Sequence, residues 1–313
     1  MFPNPRIAAS ACLMGKPTRY DGGNKKSHIL ACQVSKVFEL ISVCPEVDIG
    51  LPTPRNPVAL VQNFDVQLIG TIDNDKDITN EIVDYSRRFA RQNAIICGLI
   101  VKASSPSCGY KSATVYRKSG KSRYGVNGLF TSAFLAAKPW VPIIDENDLQ
   151  NLDMRIFFIE AALALHDFLS LAESHINSET LRQFHDRQRL FVASRSQRAQ
   201  SALDKALLNN GTVQDKFKAT KMLFLKTVKR RPTKKKQAKA MLGSLKTIKG
   251  KLAPAAYNKV SAMIARYGRG KTFNYPDVLE SLKLVTLESG DALLKSQSCL
   301  NYSKPVLNLL KLI

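Results

Sequence analysis

Apolar positions in the first 150 residues form short runs that are separated by amphipathic segments. Four of these runs are almost continuously apolar, as is typical of strands buried on both faces. Two further segments carry apolar residues at helical spacing. Strands that alternate with helices predict an α/β domain with a mostly parallel sheet covered on both faces. The predicted strands lie at 6–12, 38–43, 94–101 and 141–144, and the predicted helices lie at 80–93 and 129–137.

The pattern changes once, at about residue 150, after which apolar residues follow helical spacing throughout. We therefore predict an all-α second half. Its helices are expected at 151–174, 178–208, 215–228, 234–249, 253–267 and 275–287. The predicted organisation is an α/β domain at 1–150, a connecting helix at 151–177 and a basic all-α domain at 178–313.

The N-terminal segment MFPNPRIAASACLMG lacks the charged start, apolar core and cleavage site of a signal peptide. No apolar run approaches the roughly 20 residues that cross a bilayer. These observations predict a soluble cytoplasmic protein without a membrane partner. The six cysteines are then expected to stay reduced, which favours buried thiols, metal ligands or catalytic groups over disulfides.

The chain has 47 Lys and Arg against 25 Asp and Glu, a formal net charge of +22. The excess is concentrated in the second half, where 18 Lys or Arg and no carboxylate lie between Asp215 and Asp277. Such a field attracts phosphate backbones or anionic lipid, and a solvated surface is the alternative. No segment pairs the charge with the Trp- or Phe-rich apolar face of an interfacial helix, so RNA is favoured. The densest part, called the basic stretch below, consists of Lys229, Arg230, Arg231, Lys234, Lys235 and Lys236.

Three cysteines follow three different predicted strands. Cys12 lies at the carboxyl end of the first, Cys44 comes directly after the second, and Cys108 lies in the loop KASSPSCGYKS after the third. Loops beyond the carboxyl ends of neighbouring parallel strands converge on one crevice, so these cysteines are expected to meet there. Structural zinc takes four protein ligands, whereas an iron–sulfur cluster held by three leaves one iron open. Reduced core cysteines are the alternative, which suits the remaining three better: Cys32, Cys97 and Cys299.

Several polar residues flank these cysteines. Glu46, two residues past the second cysteine, is expected to face the crevice and transfer a proton there, or else to serve a helix start. Ser104 and Ser105 would hydrogen-bond a substrate or cap the turn around them. Asp21, before two glycines, indicates either a tight turn or a loop that closes on substrate. His185 is expected to be a surface side chain, or one whose ring is hydrogen-bonded within the protein, rather than a catalytic one.

Four ordered motifs carry a family resemblance across roughly residues 5–150. They are SACLMG, RYDGG, VCPEVDIGLPTPRNPV and SSPSCGY. The segment resembles the thiouracil desulfidase family, which implies a Rossmann-like α/β domain with a [4Fe-4S] cluster held by three cysteines. The open iron of such a cluster takes sulfur from a thiolated pyrimidine without net redox change. Matched by motif, the cluster ligands are Cys12, Cys44 and Cys108, and Glu46 and Ser104 occupy the acid and hydroxyl positions beside the substrate.

The helical half, from 181–190 onward, is similar to the YbgA-like domain that is often fused behind this desulfidase domain. Such fusions are associated with removal of sulfur from 4-thiouridine in tRNA. The resemblance therefore implies a hydrolytic tRNA 4-thiouridine desulfidase. The charge pattern predicts that tRNA binds the basic stretch, and no obligate protein partner is predicted. Two alternatives stay open. One is a desulfidase of free thiouracil or thionucleosides, and the other is a non-enzymatic iron–sulfur module that binds RNA or senses redox state.

Overall fold

The computed structural model describes residues 4–62, 65–70, 76–117, 119–271 and 273–311. The chain divides into two compact units, Met1–Phe158 and Ile159–Ile313, and the division falls inside one long helix. The exact limits of the three predicted segments stay predictions. In the described ranges, no helix has both the length and the apolar character needed to span a membrane.

The first unit contains two β-sheets and several helices. Its strands are β1 Arg6–Ser10, β2 Glu39–Val43, β3 Val58–Gln62, β4 Val66–Gly70, β5 Ile96–Val101, β6 Ala113–Arg117, β7 Ser122–Val126 and β8 Ile143–Asp145. Its helices are α1 His28–Cys32, α2 Pro45–Asp48, α3 Thr79–Gln92 and α4 Leu129–Ala137, and α5 Leu152–Glu173 crosses into the second unit. The predicted helices at 80–93 and 129–137 correspond to α3 and α4.

The first sheet has the strand order β2-β1-β5-β8, and all of its strand pairs are parallel. Every residue of β5 is buried, as its continuous apolar run predicts. Ser10 pairs with Val43, and Ala9 pairs with Ile100, so the carboxyl ends of β1, β2 and β5 lie side by side. The predicted α/β domain with a mostly parallel sheet is confirmed.

The prediction that the first strand continues to residue 12 is wrong. The strand ends at Ser10, and the next residues form a short 3₁₀ helix, Ala11–Met14. Gly15 ends this turn at φ 91°, in the left-handed region that glycine enters without a Cβ penalty. Cys12 therefore leaves the line of the strand and lies on a turn beyond the sheet edge.

The second sheet was not predicted from the sequence. Its strand order is β4-β3-β6-β7, in which β3 and β6 are parallel and the two outer pairs are antiparallel. Leu60, Leu68 and Val115 are buried in one row across the sheet, whereas many of their neighbours are partly or fully exposed. A sheet with one solvated face alternates apolar and polar residues and leaves no continuous apolar run in the sequence.

The second unit is mostly helical, as predicted. After the end of α5 it contains α6 Ser178–Arg195, α7 Gln197–Leu208, α8 Val213–Val228, α9 Lys234–Thr247, α10 Pro254–Gly268, α11 Tyr275–Ser289, α12 Ala292–Lys295 and α13 Lys304–Lys311. The single helix predicted at 178–208 is wrong, because extended backbone at Ser196 breaks it. The Ser196 hydroxyl accepts a hydrogen bond from the Ala199 amide at 3.1 Å and so caps α7.

Aromatic rings form the centre of the second unit. The ring centroids of Phe184 and Phe224 are 4.9 Å apart, and Phe168 lies 5.4 Å from Phe224. His185 is buried beside them, and its Nε2 lies 2.9 Å from the Thr220 hydroxyl. Burial lowers the pKa of His185 to about 4. His185 is therefore a neutral core side chain at physiological pH and not the surface residue that the prediction also allowed.

Candidate active site

One cavity of about 270 Å³ lies beyond the carboxyl ends of β1, β2 and β5, and all three predicted cysteines line it. They reach it because each follows the end of one of these adjacent parallel strands. The predicted Glu46, Ser104 and Ser105 also line this cavity. A larger cavity of about 580 Å³ adjoins it through Arg55 and Val58, and the residues that line it include none of these cysteines.

Cys12 and Cys44 are held by their backbones. The Cys12 carbonyl accepts hydrogen bonds from the Gly15 amide at 3.2 Å and from the Lys25 amide at 3.0 Å. Cys44 precedes Pro45, which begins α2, and its amide donates to an Asp48 carboxylate oxygen at 3.0 Å. Its thiol donates to the Thr18 carbonyl at 3.8 Å. The backbone of both residues is therefore held at the wall of the cavity, and the Cys44 thiol has a partner of its own.

Cys108 lies in a loop that two glycines allow to fold tightly. Its amide donates to the Ser105 hydroxyl at 3.0 Å, and its carbonyl accepts from the Thr131 hydroxyl at 2.6 Å. A Cβ at Gly109 would come 2.7 Å from the Ser105 carbonyl oxygen, and a Cβ at Gly128 would come 2.5 Å from the Ser107 carbonyl. A larger residue at either position would displace the backbone that holds Cys108.

Burial dominates the electrostatics of the three thiols. It raises the pKa of Cys12 to about 11, and the nearby charge of Cys44 adds to this effect. Burial likewise raises the pKa of Cys44, and it raises the pKa of Cys108 well above the usual value for a thiol. Three thiolates would thus repel one another here unless cations neutralised them. A set of soft sulfur donors with this property suits iron or another thiophilic metal.

The three cysteines reach the cavity from three separate loops. In the part of the chain that the structure describes, no three Cys, His, Asp or Glu side chains converge closely enough to hold one metal ion. A cluster binds each thiolate at a different iron, so its ligands are distributed around a cavity instead of meeting at a point. Cys12, Cys44 and Cys108 line one cavity and, within the described residues, do not form a group that could hold a single ion.

Glu46 is fixed at the same wall by two partners. Arg55 donates to one carboxylate oxygen from Nε at 2.9 Å and from Nη2 at 2.6 Å, and the Ser107 hydroxyl donates to the other at 2.7 Å. The side chains of Arg55 and Glu46 are only 7% and 12% exposed. Arg55 also donates to the carbonyls of Thr18 and Pro52, which ties two loops to the carboxylate.

Two family models match the chain. Residues 7–146 match the model for 2-thiouracil desulfurase. The predicted resemblance is thereby confirmed. Residues 189–303 match a model described as a protein of unknown function, DUF1722, which is the YbgA-like part of the expected arrangement. The first unit, Met1–Phe158, is called the desulfurase-like unit below, and the second, Ile159–Ile313, the helical unit.

A solved structure also resembles the chain. It is described as a [4Fe-4S]-dependent thiouracil desulfidase, TudS, and it is 29% identical. The match covers 48% of this chain and 97% of that chain, with a TM-score of 0.38. No curated protein matches the chain.

The other predicted residues of the desulfurase-like unit have identifiable contacts. Ser104 is exposed at φ 60°, an uncommon backbone conformation for a residue with a side chain, and its amide donates to the Ser112 hydroxyl. The Ser105 hydroxyl already accepts the Cys108 amide, so it supports the loop. Asp21 pairs with Arg19 at 3.0 Å and accepts the Gly23 amide at 2.9 Å, as a tight turn requires.

Sequence reasoning missed four polar residues of this cavity region: Arg55, Ser107, Lys102 and Glu146. Lys102 lines the cavity, and its ammonium donates to Glu146 and to the Ala103 carbonyl. Glu146 also accepts the Ala103 amide at 2.6 Å. Arg55 stands inside the motif that contains Cys44, and Ser107 and Lys102 lie in the loop of Cys108. A closer reading of the charged and hydroxyl residues in these motifs would have found three of the four.

The remaining cysteines lie elsewhere. Cys97 is buried in β5, where its thiol donates to the Arg6 carbonyl at 3.1 Å, and Cys299 is buried in the helical unit. Both fit the prediction of core thiols. Cys32 does not fit it, because this residue is exposed at the end of α1.

The basic stretch lies in the helical unit, and all six of its side chains are exposed. Lys229 directly follows α8 as its C-terminal cap residue, and Lys234, Lys235 and Lys236 form the first turn of α9. The Thr233 hydroxyl caps that turn by accepting the Lys236 amide at 3.3 Å. The stretch therefore presents a loop and a helix start that are crowded with positive charge.

Proposed function

We propose that the cavity of Cys12, Cys44 and Cys108 holds a [4Fe-4S] cluster and that the protein removes sulfur from 4-thiouridine in tRNA, which gives uridine. The observation that carries the proposal is the meeting of three cysteines from three adjacent strands in one cavity, with Glu46 fixed beside them. The desulfurase match across residues 7–146 supports sulfur removal as the reaction class.

The proposed reaction exchanges sulfur for oxygen without a change of oxidation state. The C4–S bond of the pyrimidine breaks, water oxygen takes its place, and both protons of the water leave with the sulfur as hydrogen sulfide. When bound, a cluster held by three cysteines supplies an iron without a protein ligand, which acts as a Lewis acid with affinity for soft sulfur.

The protein's own residues would move the protons and hold the ring. Glu46 is the proposed proton-transfer group, because a carboxylate that accepts from Arg55 and Ser107 keeps lone pairs free for water or a ring N–H. Ser104, which lines the cavity, and Asp21, which follows the lining residue Tyr20, are proposed to contact substrate. Ser105 would act through the Cys108 loop that it already supports.

Charge favours RNA over a free base as the substrate. A free thiouracil carries no phosphate and gains little from a field of positive charge, whereas an RNA gains from each phosphate that the field neutralises. The six exposed residues of the basic stretch provide such a field. The alternative substrates are free thiouracil and thionucleosides, which the name of the matching family favours.

Glu46→Gln is expected to keep its iron and to lose about 100-fold in turnover, the usual scale for removing a general acid or base. Gln retains the shape and accepts the same hydrogen bonds at one oxygen, so the fold should be unaffected. Sulfide release from thiolated tRNA and iron per chain measure the two effects. Glu81→Gln, at an exposed position in the first turn of α3, is the matched control. Loss of iron from Glu46→Gln would contradict a proton-transfer role and indicate a structural one.

Arg55 is expected to act by positioning Glu46. Arg55→Lys keeps the charge but loses the forked geometry, and we expect about a tenfold loss of turnover with iron retained. The test is a double-mutant cycle. If Arg55 acts through Glu46, then Glu46→Gln should cost much less in the Arg55→Lys background than in the parent. Full additivity of the two losses would show that the residues act independently.

A further inference from the structure

The β6–β7 hairpin of the desulfurase-like unit exposes two tyrosines. Tyr116 is 52% exposed and Tyr124 is 68% exposed, although each lies within a regular strand. β7 forms the edge of its sheet, and nearly all of its residues are exposed. Aromatic rings of this size are usually covered, so two on one hairpin indicate a surface for a ligand.

Both rings lie on the same face of the hairpin. In the ladder, Tyr124 is opposite Thr114, and Tyr116 is opposite Ser122. Residues two apart on a strand share a face, so the tyrosines are diagonal neighbours about 7–8 Å apart at their Cα atoms. Val115, between Thr114 and Tyr116, is buried on the opposite face. The tyrosine face is thus the outer face of the sheet.

The hairpin is also strongly basic. From Tyr110 to Val126 the sequence has five Lys or Arg and no Asp or Glu. Arg117, Lys121 and Arg123 are exposed on the strands and the turn between them. Arg117 and Arg123 alternate with the tyrosines, so they belong to the opposite face and reach solvent at the end and edge of the hairpin. Charged residues on an edge strand also prevent unwanted strand pairing, but that role does not require tyrosines on the outer face. A polyanion with flat apolar groups complements both features.

We propose that the β6–β7 hairpin binds single-stranded or looped RNA, with bases stacked on Tyr116 and Tyr124 of the outer face and phosphates along the exposed edge and turn, where Arg117, Lys121 and Arg123 lie. Sheets that carry exposed aromatic residues stack successive bases, and neighbouring basic side chains hold the backbone. The surface deepens the proposed function, on which the identity of the RNA as tRNA rests. It adds an RNA contact within the unit that contains the cysteine cavity.

The hairpin is joined directly to the Cys108 loop. β6 begins five residues after Cys108, and the Lys111 amide donates to the Asn127 side chain at 2.9 Å just beyond β7. The Gly128 amide donates to the Gly109 carbonyl at 2.7 Å. Tyr116 lies three residues along β6 from its start, roughly 10 Å at the rise of a strand. An RNA stacked on the tyrosines would therefore have its adjoining nucleotides near the Cys108 loop.

The test uses the full chain and a short oligouridine that carries no sulfur. Tyr116→Ala/Tyr124→Ala is expected to bind it about tenfold or more weakly by fluorescence anisotropy, because each base stack contributes substantially to affinity. Tyr116→Phe/Tyr124→Phe keeps both rings and should bind within about twofold of the parent. Since both side chains are mostly exposed, thermal unfolding should be unchanged in either variant. Equal binding by the alanine variant would overturn the proposal.

Two further measurements make the result decisive. Photo-crosslinking of the parent to 5-bromouridine RNA should label Tyr116 or Tyr124, and absence of label from the hairpin would count against the surface even if the alanine variant failed to fold. Light scattering tests a contact between copies through β7: if the alanine variant loses only a dimer, the RNA proposal is wrong. Because this RNA has no sulfur, weaker binding by the alanine variant would support the surface even if no desulfuration were found.

Discussion

Replacing any one of Cys12, Cys44 and Cys108 by alanine is expected to abolish cluster binding and sulfur release together. A cluster held by three thiolates has no spare protein ligand, so the loss of one leaves two irons exposed. The cavity wall offers no other cysteine within the described residues that line it. Iron and acid-labile sulfide per chain, in protein purified without oxygen, measure the first effect, and turnover of thiolated tRNA measures the second.

The other three cysteines provide the matched controls. Cys32→Ser should change nothing, because this side chain is exposed. Cys97→Ala and Cys299→Ala should keep full iron and activity, with a packing cost of about 1–3 kcal/mol in the free energy of unfolding at these buried sites. Full iron content and activity in any one of the Cys12, Cys44 or Cys108 variants would refute the assignment of that residue as a ligand.

The first sheet could be predicted because its two central strands, β1 and β5, are buried on both faces. The run Ile96–Val101 is fully buried, and such a run leaves an unmistakable apolar segment in the sequence. The second sheet left no such segment. In β7, Arg123 lies opposite the buried Val115. The row of buried side chains that crosses this sheet therefore has a charged residue at the edge strand. Pattern analysis fails where a strand is short, exposed and at an edge.

The cysteines could be placed because parallel topology brings strand ends together wherever they lie in the chain. Side-chain pairs are different. Ser107 meets Glu46 across 61 positions, and Lys102 meets Glu146 across 44. Nothing in residue order specifies such pairs, since they depend on rotamers and on loop geometry. The sequence therefore predicted several residues that line the cavity and missed others that hold them in position.

The start of α9 combines features that a folded protein alone does not favour. Lys234, Lys235 and Lys236 occupy its first turn, where the helix dipole is positive and cations are destabilising. Thr233 caps the helix, but the first turn contains no acidic residue. A bound phosphate would offset this repulsion, because it neutralises the lysine charges and accepts hydrogen bonds from amides at the helix start. This arrangement supports the proposed phosphate contact, and the following experiment tests it against a solvated surface.

Changing all six residues of the basic stretch to glutamine is expected to weaken tRNA binding and to flatten its salt dependence. A protein that makes six to ten phosphate contacts loses about 1000-fold or more in affinity between 50 and 200 mM salt, and each lost contact reduces the slope by roughly one. Turnover of free 4-thiouridine should stay near the parent value, because a nucleoside has no phosphate to bind. Turnover of thiolated tRNA at low concentration should fall with binding.

A charge-matched control separates local contacts from net charge. Glutamine at six exposed basic positions dispersed over the chain lowers the net charge equally; suitable positions are Lys36, Arg88, Arg91, Lys205, Lys295 and Lys304. If the basic stretch contacts phosphate, the control should keep the salt slope of the parent, because long-range attraction is screened beyond about 8–10 Å in physiological salt. Equal losses in both variants would mean that tRNA responds to overall charge. An unchanged slope in the basic-stretch variant would show that the basic stretch is only a solvated surface and leave the β6–β7 hairpin as the RNA contact to test.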